Sequence, residues 1–422
     1  MATEFYDDKE IMSPQEREQY YNENLSEYVQ YAYQNSPAMK AKLDKAGVRP
    51  SEIQTTRDLE KLPLTRKEDF IEAQRINPPF GGFLAVPSEG VVKIAIQPGP
   101  LYLPYRPQDH VPGAKLFYTA GVRKGDVFLN PLSYTFMAAI ALDAITSELG
   151  VTTIPTGPGN TGLQVRVIHD MKPTALFAFT GFLMTIIEKA EEMGYDFKRD
   201  FSFLRTVLLG GEMAPPAVRR KIEKDYGLDS REVYGTGELG YLAFECDRKA
   251  GMHFLDEAII ETVDPSTGKQ LEPGQTGELV LTTLANKTYP LVRWGTGDLA
   301  IYTTEPCACG RTSPRLLRIV GRVGEAARVK GTWLIPKQVE EVLSKVPQIS
   351  KFQVLVTNPR IKDEIEYRIE LKEQDIDRDK LLQYLQKYIP DNLRLRADRI
   401  EIVAPGTIPE GGKTIEDKRS WD

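Results

Sequence analysis

Between residues 127 and 209, short apolar runs alternate with helix-length segments, and this alternation restricts the fold more than any other feature. Val127-Phe128-Leu129 and Ala175 to Phe179 are continuous apolar runs, and Val151 to Ile154 and Thr206 to Leu209 are short runs of threonine and apolar residues, all of strand length. Helical patterns separate them, around Ala138 to Leu149, before Ala175, and over Thr185 to Met193. Apolar strands alternating with helices predict βαβ units and a mainly parallel sheet, covered on both faces. Ligands of such sheets bind beyond the carboxyl ends of the strands, so glycine-rich turns there are the first places to look for chemistry.

The flanking segments read differently. Tyr21, Leu25, Tyr28, Val29 and Ala32 recur at helical spacing and predict an amphipathic helix from Pro14 to Asn35. Ser36-Pro37 then caps a second, shorter helix. From Ala258 to Tyr302, two strand-like runs flank a turn at Asp264-Pro265, which predicts an antiparallel β unit beside the α/β core. After Gly321 the pattern restarts as a small α+β unit. The predicted fold is α/β: residues 1–322 form a large domain of mainly parallel sheet with an antiparallel unit, and residues 323–422 a small α+β domain. A chain of 422 residues exceeds what one simple core supports, consistent with that division.

Bulk chemistry excludes several partner classes. A net charge of −6 without basic clusters argues against nucleic acid and anionic membranes. No apolar run approaches the roughly 18 residues of a membrane span. The acidic N-terminus does not read as a signal peptide. Three cysteines do not suit a disulfide framework, which predicts a cytoplasmic protein.

Six short polar motifs follow one another over half the chain: Gly210-Gly211-Glu212, Tyr234-Gly235-Thr236-Gly237-Glu238, Gly295-Thr296-Gly297-Asp298, Gly321-Arg322, Lys330-Gly331 and Gly411-Gly412-Lys413. Glu238 has the oxygen ligands that hold Mg²⁺, or is a solvated turn glutamate. Asp298 is able to accept two ribose hydroxyl hydrogen bonds, or is a plain β-turn aspartate. Arg322 offers a fork of donors for ribose or phosphate, or sits on the surface at a domain boundary. Lys413, in a loop near the C-terminus, suits charge developing on a phosphate, or is a solvated tail lysine. Separately, Cys246, His253, Cys307 and Cys309 bring all three cysteines and one of three histidines into one region. Cys₃His is a closed set for structural zinc, and the alternative is reduced buried cysteines beside a histidine.

Further segments turn the motif order into a family signature. They are Tyr31-Ala32-Tyr33-Gln34-Asn35-Ser36-Pro37, Leu62-Pro63-Leu64-Thr65-Arg66-Lys67-Glu68-Asp69, and Ile154-Pro155-Thr156-Gly157-Pro158-Gly159-Asn160-Thr161. With these, the chain resembles the phenylacetate–coenzyme A ligase family of the adenylate-forming (AMP-binding) superfamily nearly end to end. The resemblance implies an adenylate-forming fold with a mobile C-terminal domain. It also implies an ATP-dependent ligase that makes an acyl adenylate of an aromatic or small carboxylic acid and passes the acyl group to coenzyme A. Gly211 and Glu212 would line the adenine pocket, with Tyr234 and Gly235 beside it. Glu238 would bind Mg²⁺, Asp298 and Arg322 would bind ribose, and Lys413 would be the adenylation lysine, with Lys418 second in register. Gly331 would lie by the coenzyme A tunnel, Gly324 at the hinge where an aspartate is usual, and Tyr134, Phe136 and Phe182 around the acid. Some family members carry cysteines at the positions of the Cys₃His set. A homodimer follows from the resemblance alone.

Two departures bear on phosphate. Where the superfamily has a Ser/Thr/Gly-rich loop, this chain reads Ala95-Ile96-Gln97-Pro98-Gly99-Pro100-Leu101-Tyr102, in which prolines replace backbone donors. Gly237 stands where the family has Ser or Thr. Alternatives to the ligase are therefore an acyl-transferring or amide-forming enzyme that uses a preactivated acid, and a non-catalytic homologue that binds a nucleotide or acyl ligand. Retained Glu238, Asp298 and Lys413 count against the last.

Overall fold

A computed structural model describes residues 4–211, 213–329, 332–359, 363–373, 375–393 and 395–419. Two compact units divide the chain. One takes in the chain up to Thr296 together with Ala300–Ile319; the other takes in Gly297–Leu299 and everything from Val320.

The N-terminal helix runs from Pro14 to Asn35. Ser13 and Glu16 form a reciprocal capping box, Glu16 N to Ser13 Oγ at 3.2 Å and Ser13 N to Glu16 Oε2 at 2.8 Å. Leu25, Tyr28, Val29 and Ala32 are fully buried on one face, as the spacing requires. Ser36 caps the next helix, Pro37–Ala46, and Gly47 ends it in the left-handed region at φ 67°.

The central strands Val127–Asn130, Thr152–Pro155, Ala175–Ala178, Thr206–Leu209 and Asp229–Thr236 pair in parallel. Alternate side chains feed two cores. Phe128, Ala175, Phe177 and Leu208 enter one; Leu129, Leu176, Val207 and Leu209 enter the other. Asp229–Thr236 is the strand at which direction changes: it is parallel to Thr206–Leu209 and antiparallel to Gly240–Glu245. The antiparallel part is continuous with the parallel sheet in one twelve-stranded sheet rather than a separate unit beside it. The stretch with the lost phosphate loop forms an antiparallel hairpin, Lys93–Gln97 with Leu101–Tyr105, where the sequence reads as loop.

In the smaller unit, four strands lie in the order Arg399–Ile402, Glu364–Leu371, Ile349–Thr357, Ile415–Asp417. Val354, Tyr367, Ile369, Val339, Leu343, Leu385 and Ile389 build its core with the helices Pro336–Leu343 and Arg378–Leu393. Among the described residues, no helix is long and apolar enough to cross a membrane.

Candidate functional site

The site begins at the carboxyl edge of the parallel strands. Thr206–Leu209 ends at Gly210-Gly211, and neighbouring rings leave no room for side chains there. A Cβ on Gly210 would lie 2.7 Å from Phe177 Cζ, and one on Gly211 2.3 Å from Phe179 Cε1, with Gly211 at φ 82°. Phe179 is 45% exposed although it stands over this glycine. It precedes the helix Thr180–Glu192, directly after the strand Ala175–Ala178. The sequence reading assigns Phe179 to a strand and misses it as a site residue; its position at a strand's carboxyl end was the available signal. Glu212 and Gly331 lie outside the described residues.

The second edge is the direction-changing strand. Tyr234 is buried in the core, and Gly235 must be glycine because a Cβ would meet the Gly240 carbonyl oxygen at 2.4 Å. Leu239 N donates to Thr236 Oγ1 at 3.1 Å and tightens the turn that carries Glu238. The Tyr289 hydroxyl donates to the Glu238 backbone carbonyl at 2.6 Å. The Glu238 carboxylate, 8% exposed, lies 3.1 Å from Lys67 Nζ.

Lys67 reaches that place through the family-specific segment. Thr65 bridges to Trp294, donating its N–H to the Arg293 carbonyl at 2.7 Å and accepting from Gly295 N at 3.0 Å. Arg66 pairs with the buried Glu278 under Gly295. The helix Lys67–Ile76 then begins with Lys67 beside Glu238. Sequence motifs gave Lys67 no role, because its partner lies far along the chain.

The hairpin stands against the same turn. Ala95 and Gln97 point inward while Ile94 and Ile96 are exposed. A Cβ on Gly237 would lie 2.8 Å from Gln97 Oε1 and 3.0 Å from its Cδ. Gln97 is 7% exposed, and its Nε2 is buried without a hydrogen-bond partner. Ile96 N donates to the Thr135 carbonyl at 2.8 Å, which ties the hairpin to the loop of Tyr134 and Phe136.

The three acid-pocket candidates do not come together. Tyr134 donates to Asp143 Oδ1 at 2.7 Å and accepts from Asn130 Nδ2 at 3.1 Å. Burial, and then the Asp143 bond, push its hydroxyl pKa up. Phe136 is 40% exposed. Phe182 packs against the core fed by Leu129 and Leu176, while Tyr134 packs against the core fed by Phe128 and Phe177 on the opposite face.

In the smaller unit, Arg322 Nη1 lies 2.6 Å from Asp298 Oδ1. Asp298 is buried, whereas the Arg322 side chain is 56% exposed. Gly297, at φ 74°, lets Arg322 pass, since a Cβ there would lie 3.1 Å from Nη2. Val323 N donates to the Gly297 carbonyl at 2.8 Å. Gly324 adopts φ 87° with nothing near its missing side chain. Lys413 is exposed, and its carbonyl accepts from Gln353 Nε2 at 3.3 Å. Lys418 pairs with Glu416 at 3.2 Å.

Cys246, His253, Cys307 and Cys309 converge, with one donor atom from each within 4.8 Å of all the others. Cys246 Sγ lies 3.8 Å from Cys307 Sγ, and Cys309 Sγ lies 3.4 Å from His253 Nε2. A tetrahedral zinc with bonds of about 2.3 Å to sulfur and 2.0 Å to nitrogen gives edges of about 3.8 and 3.5 Å. These two edges match that ion, and 3.8 Å is far beyond a disulfide. His253 Nδ1 lies 3.3 Å from Ser313 Oγ, the outer contact that orients a ligating imidazole. The Cys246 thiol, then His253 and the Arg311 N–H, hold the Cys309 thiol well below its ordinary range; the same Cys309 contact pushes Cys246 up.

Comparison with known proteins identifies the family. A family model for AMP-binding enzymes matches residues 111–285, and one for the AMP-binding enzyme C-terminal domain matches residues 331–419. A phenylacetate-coenzyme A ligase of Thermus thermophilus is 31% identical over 93% of this chain and 94% of its own length. One of Escherichia coli is 29% identical over 95% and 94%. A crystal structure of 2-hydroxyisobutyryl-CoA ligase, in an open conformation with 2-HIB-AMP and CoA, matches in fold: TM-score 0.87, 24% identity, 97% of this chain and 93% of that one. By its relation to the Thermus thermophilus ligase along nearly the whole of both sequences, the chain belongs to the phenylacetate–coenzyme A ligase family of AMP-binding enzymes.

Proposed function

We propose that the protein joins a carboxylic acid, aromatic or small, to coenzyme A in two steps. The acid's carboxylate oxygen attacks the α-phosphorus of ATP, and pyrophosphate leaves. The coenzyme A sulfur then attacks the acyl carbon, and AMP leaves. The observation that carries this reading is the 31% identity to a phenylacetate-coenzyme A ligase over more than nine-tenths of both chains.

The residues take roles that follow from their chemistry. Gly210-Gly211 and Phe179 form an edge for adenine, with Tyr234 and Gly235 beside it; Glu212 keeps the adenine role that the family resemblance implies. Asp298 accepts from ribose hydroxyls while holding Arg322 in reach of the same sugar. Lys413, exposed on the smaller unit, is a cation for the α-phosphate. Glu238 is an oxygen ligand for Mg²⁺, and bound Mg²⁺ supplies charge neutralisation on the phosphates. Lys67 holds that carboxylate in place when the metal is away. Tyr134 and Phe136, on the hairpin's side of the sheet, are the residues for the acid; Phe182 packs across the sheet from them. Gly331 belongs to the coenzyme A path. The Cys₃His set holds a structural zinc, and a homodimer remains part of the family reading.

ATP–pyrophosphate exchange with a panel of aryl and short-chain acids tests the first step. Thioester formation from ATP, acid and coenzyme A tests the second. Exchange dependent on one acid is expected. Turnover of a preformed acyl adenylate, with no exchange for any acid, would overturn the first step and leave an acyl-transfer enzyme.

A further inference from the structure

Gly237 and the hairpin at Gln97 look like two independent losses at the phosphate end of the site, but the structure makes them one arrangement. Among Ala95 to Tyr102, only Gln97 and Tyr102 have polar side chains. Tyr102 is 38% exposed, whereas Gln97 lies on the inward side of its strand and is 7% exposed. Its carboxamide oxygen occupies the space next to Gly237 that a side chain at position 237 would need. A serine or threonine at 237 and Gln97 in this pose exclude each other. The carboxamide Nε2 is buried and has no partner. A buried amide donor left unpaired disfavours the folded state, so such a group points to a missing acceptor. It stands beside the turn carrying Glu238, whose carboxylate meets Lys67.

We propose that Gln97 is the phosphate-side donor of this site, and that Gly237 is the space that admits it. The Gln97 amide donates to an oxygen of the β- or γ-phosphate of ATP, in place of the hydroxyl groups of a Ser/Thr-rich loop. The terminal torsion of glutamine is broad, so Nε2 turns toward the ligand without a backbone change. Proline at 98 and at 100 removes two backbone N–H groups from the hairpin tip, which leaves this donor to a side chain. The inference rests on the ligase reading and goes beyond it by naming what holds the leaving pyrophosphate.

The test is equilibrium binding of α,β-methylene-ATP with Mg²⁺, and separately of AMP, to the full chain. AMP has no β- or γ-phosphate and is the internal control. Gln97→Leu keeps the volume and removes the donor. It should weaken methylene-ATP binding about tenfold, which is one hydrogen bond to a charged acceptor, and leave AMP affinity within about twofold. Gly237→Ala pushes a Cβ into the carboxamide and should give the same selective loss, which serves if the first variant does not fold. Equal affinity of variant and wild type for methylene-ATP would overturn the inference, as would an equal fall for both nucleotides. Wild type that binds neither nucleotide would overturn the ligase reading itself; wild type that binds both, with unchanged variants, overturns the inference alone.

Discussion

Replacing Cys309 with serine should strip the proposed zinc and destabilise the larger unit. Apparent binding free energies of structural zinc run about 10–16 kcal/mol, so even one ligand's share, about 3 kcal/mol, is a lower bound on the loss when the ion is stripped. Neighbouring contacts decide how that loss is felt. Arg311 N donates to Cys309 Sγ at 3.4 Å, and the Arg311 guanidinium pairs at 2.6 Å with Glu10, both side chains 2% exposed. Serine keeps an oxygen able to accept from Arg311, so the substitution removes the metal ligand without stranding that buried pair. In a unit of this size each kcal/mol moves the melting transition by about 2 °C, so a downward shift of about 5 °C or more is expected. Metal content by elemental analysis and melting with and without a chelator measure the two halves of the claim. Wild type should hold about one zinc per chain and melt lower with chelator, whereas Cys309→Ser should ignore it. Native protein with zinc well below one per chain, and a chelator-insensitive melt, would refute the reasoning: the four donors would then be only a buried thiol cluster.

Other perturbations read the site directly. Gly211→Ala places a Cβ 2.3 Å from the Phe179 ring at φ 82°, a left-handed conformation costing about 1–2 kcal/mol. Because Phe179 is half exposed and can retreat, stability should fall by only that amount, while calorimetry should find AMP bound about tenfold more weakly. Lys67→Met removes the cation that competes with metal 3.1 Å from Glu238. The half-saturating Mg²⁺ concentration in pyrophosphate exchange should fall up to about fivefold, the equivalent of an ion pair worth about 1 kcal/mol; an unchanged value would remove Glu238 as a metal ligand. Burial lowers the His110 pKa from 6.5 to about 4, where it stacks on Tyr105 and faces Gly240. Below pH 6.5 the unfolded chain takes up a proton that the folded one refuses, so stability is lost as pH falls from 6.5 toward 4, by about 3 kcal/mol in all. Urea midpoints at pH 7 and pH 5 should therefore differ less in His110→Gln than in wild type.

Local chemistry determines how much of this was legible in the sequence. The helix Pro14–Asn35 was readable because its apolar face recurs at helical spacing within one segment. The inner parallel strands Ala175–Ala178 and Thr206–Leu209 were readable because strands buried on both sides are mostly apolar. The hairpin Lys93–Gln97 with Leu101–Tyr105 was not, since its outer face carries exposed Ile94 and Ile96 and its inner face carries a glutamine, which blurs the period-two alternation. The Cys₃His cluster was visible as a scarcity: three cysteines and a histidine fall in one region, although separations of six residues and one residue resemble no common finger. Glu238 was visible as a motif, and Lys67 only as part of a family segment, because an ion pair between residues so far apart leaves no local trace.

The same limit explains the phosphate end of the site. Position by position, a loop without hydroxyls and a glycine in place of serine read as two losses, and two losses argue against ATP cleavage. In three dimensions, the residue missing its side chain and the residue with an inward-facing amide meet at 2.8 Å from the would-be Cβ. A deletion that opens space next to a buried polar group is a different kind of change from a deletion that leaves a void. The first relocates a donor and the second abolishes one, and only the contact between Gln97 and Gly237 distinguishes them. That contact favours a working adenylation site, in which the residues proposed for adenosine keep the family pattern and the pyrophosphate would be held from the hairpin.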